Sequence, residues 1–321
     1  MLLNFEQIKK ITVGAVDIWQ EQDGVHFAKC TKEQLTEWNN IRDELFINAS
    51  ATTGVRLDFY TDSPFINVGF SSEGRYEVIE NGVLVKQIVI TDKGENHDFC
   101  IKATNECALN RFIITMPSHF DKGVVKYIEV QDNATINPHE YDIKILFLGD
   151  SITQGYNSDF DSMAYAYQVS DFFNAESVIQ GVGGACFSAQ TVSKTSFEPD
   201  LIFVAYGTND FGTYSDITTL VENQSKFFNQ LIAIYPNTKI YYISPIWRKD
   251  YDTPKPMGKF SDACKIMKEV ARLFGVTVID GEKMIPPFEK FMADDLHPND
   301  LGFSIYARNL VKEVIRLNSK K

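Results

Sequence analysis

Four short segments of this 321-residue chain carry side chains that together could attack a carbonyl carbon. Gly149-Asp150-Ser151-Ile152-Thr153 offers a hydroxyl beside a small residue that permits a tight turn. A serine hydroxyl is a poor nucleophile at neutral pH and needs an adjacent base. Asp294-Asp295-Leu296-His297-Pro298 supplies one, and His297 is the only histidine after Lys144. A carboxylate three residues earlier, at Asp294, can reach Nδ1–H and leave Nε2 free as a general base. Tyr206-Gly207-Thr208-Asn209-Asp210 offers amide N–H donors at Asn209, which suit a developing oxyanion. Gln180-Gly181-Val182-Gly183-Gly184 clusters glycines that let backbone N–H groups face a ligand.

Each segment taken singly also has a plain structural reading. Asp150 and Ser151 can cap a helix, Asn209-Asp210 can be a turn, and Asp294 can cap the last helix beside a surface histidine. The glycine cluster nearly forms a dinucleotide fingerprint, but Cys186 stands at the final glycine and no suitable acid follows. A Gly-x-Ser-x-Gly elbow is absent because Thr153 holds the last position, and no His–carboxylate grouping has metal-ligand spacing. Neither a cofactor nor a metal is therefore expected.

All four segments fall where strands of one sheet should end. From Lys144, near-continuous apolar runs (144–150, 177–184, 200–207, 239–245 and 276–280) alternate with amphipathic stretches near 163–174, 216–235, 260–274 and 300–318. That rhythm predicts a parallel sheet covered on both faces, a three-layer flavodoxin-like α/β sandwich over 139–321. In such sheets ligands bind beyond the carboxyl ends of the strands. Residues 1–138 read differently. The runs 53–62, 63–72, 75–90, 111–117 and 124–130 are strand-like, Asn81-Gly82 marks a tight hairpin, and one helical stretch lies near 32–44. An antiparallel, jelly-roll-like sandwich is expected there.

Gly-Asp-Ser, the glycine-rich turn, Gly-Thr-Asn-Asp and Asp-x-x-His-Pro resemble, in order, the four blocks of the SGNH (GDSL-type) hydrolases. The resemblance spans about 144–318. It implies a serine esterase with nucleophile Ser151, base His297 and orienting acid Asp294. It further implies an oxyanion hole from the Ser151 N–H, the Gly184 N–H (Gly183 being the alternative) and the Asn209 side chain. Gln180 stands near where the family often has an asparagine. A sandwich followed by this domain is similar to two-domain carbohydrate esterases that remove acetyl groups. The expected reaction is hydrolysis of short O-acyl esters through an acyl-enzyme, with a small-molecule or oligosaccharide ester as substrate. Trp247 and Tyr206 are the expected substrate contacts among the strand-end aromatics, which also include Tyr156 and Phe187. A thioesterase or lysophospholipase would use the same frame, and a carbohydrate-binding protein with a relic hydrolase domain is the rival from another class.

Composition narrows the partners. Hydrophobic residues make up 44% of the chain, and 31 basic against 43 acidic residues give a formal charge of −12. That balance attracts neither nucleic acid nor an anionic membrane surface. No uncharged apolar stretch approaches ~18 residues, and Glu6, Lys9 and Lys10 break the amino-terminal run. The expected setting is the cytoplasm, with the five cysteines as free buried thiols.

Overall fold

A computed structural model describes residues 1–92 and 97–319. Among them, two antiparallel sheets face one another. One runs Thr12–Val13, Arg56–Thr61, Asn110–Thr115, Gly74–Glu80, Val83–Ile90, with Asn137–Pro138 beside Arg56–Thr61. The other runs Asp17–Glu21, Gly24–Ala28, Val124–Val130, Phe65–Phe70, His97–Lys102. The break at Ser63-Pro64 is where the chain leaves one sheet for the other, so 56–61 and 65–70 do not pair with each other. Inward residues from both sheets, among them Phe59, Val68, Phe70, Phe112, Ile114 and Ile128, fill the core between them. Asn81 (φ 51°) and Gly82 (φ 81°) make the expected hairpin turn between Gly74–Glu80 and Val83–Ile90.

The second half is a five-stranded sheet, ordered Ala175–Gly181, Ile143–Gly149, Leu201–Ala205, Lys239–Ile243, Thr277–Ile279. Every pairing in it is parallel. Because side chains alternate along a strand, Ile145 and Phe147 meet the helices Tyr165–Phe172 and Asp300–Asn318 on one face. Leu146 and Leu148 meet Ile217–Ile234 and Phe260–Leu273 on the other. That alternation explains why these strands read as continuous apolar runs.

Three features differ from the sequence expectation. The stretch near 32–44 is two helices, Lys32–Ile41 and Asp43–Ser50, joined at an extended Arg42 (φ −172°). Trp38, Leu45 and Ala49 from these helices belong to the same core as Val178, Val182 and Phe187, so they cover the parallel sheet instead of the sandwich. Short strands at 17–21, 24–28 and 97–102 complete the second sandwich sheet. All five thiols are free, but only Cys30 and Cys264 are buried. Cys100 and Cys107 lie exposed on the sandwich. No helix among the described residues is long and apolar enough to cross a membrane.

Candidate active site

The register aligns Gly149 with Gly181 on one side and with Ala205 on the other, so three strand ends open at one level. A four-residue helix, Ser151–Gln154, starts directly from the central one. Asp150 caps it by accepting the Ile152 N–H at 3.0 Å, as the capping reading of this segment expected of Asp150. Ser151 occupies the first helical position, where the backbone N–H has no intrahelical acceptor. The glycine turn lies so close that a Cβ on Gly181 would stand 2.3 Å from the Gln154 backbone nitrogen. Only glycine allows that approach.

Ser151 Oγ is 2.8 Å from His297 Nε2. His297 Nδ1 is in turn 2.8 Å from Asp294 Oδ2. Asp294 Oδ1 accepts the Leu296 and His297 N–H groups at 2.7 and 2.6 Å, which folds the turn that brings acid and imidazole together. Asn157 donates to Asp294 Oδ2 from Nδ2 at 2.8 Å. Partial burial works to raise the Asp294 pKa, but the hydrogen bonds from His297 and the Leu296 N–H, with the nearby imidazole, outweigh it and hold the carboxyl below its usual value. Asp295 points elsewhere, pairing with Lys249 at 3.0 Å with its side chain 77% exposed.

Gly183, Gly184 and Asn209 line the same groove as Ser151 and His297. The two glycines are not equivalent. The Gly183 N–H is spent on Gln154 Oε1 at 2.6 Å, whereas the Gly184 N–H has no protein partner among the described residues. Gly184 also has φ +80°, a conformation that side chains resist. Asn209 donates one amide hydrogen to Ala185 O at 3.0 Å, which orients the side chain and leaves the second for a ligand. Beneath the groove, burial pushes the Asp150 and Asp210 carboxyls up to about 7, opposed by the Ile152 and Phe187 N–H groups they accept.

Two expected substrate contacts lie away from this groove. Tyr206 is 3% exposed because it continues the pleat face of Ile202 and Val204, and its ring packs on Phe187 and Phe227. Trp247 is half-buried against the opposite core, with Ile246. In their place stand residues that sequence reasoning passed over. Gln154 is fully buried, its Oε1 taken by Gly183 N–H and its Nε2 given to the Asn48 and His119 carbonyls at 3.1 and 2.6 Å. Donors on one side and acceptors on the other leave only one orientation for its amide. Arg42, Asn48 and Phe120 reach the groove from the amino-terminal half. Only Tyr156, packed at 4.9 Å from the His297 ring, carried a sequence signal, as a strand-end aromatic.

A serine hydroxyl on an imidazole that a carboxylate holds, beside free N–H donors, is an arrangement suited to acyl transfer. Fold and site together define a carboxylic ester hydrolase of the three-layer α/β type. Residues 147–305 match the sequence model of the GDSL-like lipase/acylhydrolase family, and the chain carries a domain of that family. No curated protein matches the chain in sequence. Among solved structures it is similar to the salicylyl-acyltransferase SsfX3 from a tetracycline biosynthetic pathway, at 17% identity and TM-score 0.82, covering 96% of this chain and 94% of that one. It is similar to a family two carbohydrate esterase from Cellvibrio japonicus at 16% identity and TM-score 0.69, covering 97% and 96%. A family two carbohydrate esterase from Clostridium thermocellum in complex with cellohexaose follows at 15% and TM-score 0.66, covering 83% and 92%. At these identities the likeness shows the fold alone.

Proposed function

We propose that the protein hydrolyses short-chain carboxylic esters, O-acetyl groups on a carbohydrate in the first place, with Ser151 as nucleophile. The observation that carries this reading is the chain of contacts from Ser151 Oγ through His297 to Asp294, each step 2.8 Å. His297 Nε2 takes the hydroxyl proton as Ser151 Oγ bonds to the carbonyl carbon. Negative charge then gathers on the carbonyl oxygen, facing the Ser151 and Gly184 N–H groups and the free Asn209 amide hydrogen. The same proton passes from Nε2 to the departing alcohol oxygen as its bond to carbon breaks. Water repeats the cycle on the acyl-enzyme, giving its proton to His297, and the carboxylic acid leaves as Ser151 recovers its hydrogen. Solved neighbours that are carbohydrate esterases support the choice of alcohol.

One oxyanion donor lost from a preorganised site costs about 10²–10³ in kcat. Asn209→Ala is expected to lower kcat by that amount with KM changed less than threefold, in steady-state assays on an aryl acetate. A KM rise at constant kcat would instead make Asn209 a ground-state binding group.

At the groove wall beside Gly184 the Arg42 guanidinium stands between the catalytic groove and the more apolar cavity lined by Trp38, Leu45 and Phe187. That supports a short acyl group. Across aryl esters from acetate to octanoate, kcat/KM is expected to be highest at acetate. An apolar channel would add ~0.8 kcal/mol per buried CH₂, so a rise toward eight carbons would favour the thioesterase or lysophospholipase reading.

A further inference from the structure

We infer that the alcohol half of the substrate is a sugar held across Tyr156 and Phe120, in a polar cavity where the amino-terminal sandwich meets the hydrolase domain. This rests on the esterase reading above and adds the subsite. A tetrahedral carbon on Ser151 has one direction for its oxyanion and another for its leaving oxygen. With the oxyanion toward Gly184 and Asn209, the leaving oxygen must lie where His297 Nε2 can protonate it. The alcohol therefore departs along the His297 side of the groove.

That side is built unlike the other. Tyr156 packs on His297, and the Phe120 ring meets Tyr156 edge-on at 6.0 Å. Phe120 is 53% exposed, so its ring is open to a ligand at the groove. Both rings border the catalytic groove and also a cavity of about 410 Å³ beyond it, walled by Arg75, Asp121, Asn157 and Asp159. Aromatic faces beside clustered donors and acceptors match a pyranose, which presents C–H surface in the ring and hydroxyls at its rim. The cavity on the Gly184 side has the opposite character, lined by Trp38, Leu45 and Phe187 and parted from the groove by Arg42.

The loop that carries Phe120 is held in place. His119 adopts φ +64°, costly for a non-glycine residue, and its ring Nε2 lies 2.7 Å from Gly155 O, one residue before Tyr156. Gln154 fixes the same loop by donating to His119 O. The sandwich thus contributes a fixed aromatic wall to the hydrolase site.

The test compares esters that share the acetyl group and differ in the alcohol: ethyl acetate, 6-O-acetylglucose and acetylated cellotetraose. Phe120→Ala is expected to lower kcat/KM on acetylated cellotetraose, through KM, about tenfold more than on ethyl acetate, and Phe120→Trp should restore the ratio. Equal losses on all three esters, or none on the sugar esters, would overturn the subsite. So would wild-type turnover of ethyl acetate without turnover of either sugar ester, and the esterase reading would then still stand. If the wild type hydrolyses none of the three, that reading itself fails.

Discussion

Replacing Ser151 by alanine is expected to lower kcat on an aryl acetate by about 10⁵–10⁶ while the protein stays folded. Loss of a nucleophile costs about as much as loss of the whole catalytic group, since the remaining members have nothing to activate. Folding should survive. Among the described residues Ser151 Oγ has one hydrogen-bond partner, His297, and the helix cap belongs to Asp150, which is untouched. Alanine is also the better helix former. A fluorophosphonate should add once to the wild type, on the peptide containing Ser151, and not at all to Ser151→Ala. Intact-mass and peptide mapping would show it. Adduct formation at another serine, or an active alanine variant, removes the mechanism.

The second large effect separates two adjacent acids. In Asp294→Asn the side-chain oxygen can keep the two backbone N–H bonds now made by Oδ1. The new amide nitrogen then replaces Oδ2, which faces His297 Nδ1 and the Asn157 amide. An amide donor there favours the tautomer with its proton on Nε2, and that nitrogen can no longer take the Ser151 proton. The same exchange in a serine protease triad costs on the order of 10⁴ in kcat, and a loss of that order is expected here, with KM little changed. Asp295→Asn should stay within about tenfold of wild type, because it disturbs only an exposed pair with Lys249. Steady-state kinetics of both variants at pH 7 decide the matter. A larger loss at Asp295 would place the acid one residue later in the turn.

The reach of sequence reasoning follows from the range of the interactions involved. Chain-local physics made the two halves legible. Period-two runs, the Asn81-Gly82 turn and buried apolar strands each depend on residues within a few positions. The Asp294–His297 pair belongs to the same class, since three residues in a turn suffice to close it. Ser151, Asn209 and the glycine turn were readable because each follows a strand of one sheet, whose parallel order brings the ends together.

Tertiary structure alone decided the rest. The proposal of Gly184 and not Gly183 as oxyanion donor rests on Gln154, about thirty residues earlier, accepting the Gly183 N–H. Arg42, Asn48 and Phe120 enter the site because two helices and a loop from the sandwich half pack against the other half, more than thirty residues beyond each in sequence. Tyr206 left the list of contacts because strand pleating turned it toward the core, and Trp247 because it packs beside Ile246. Residue type and spacing report what a side chain can do. Which group stays unpaired at the groove depends on hydrogen bonds and packing between segments distant in the chain, and no local pattern records them.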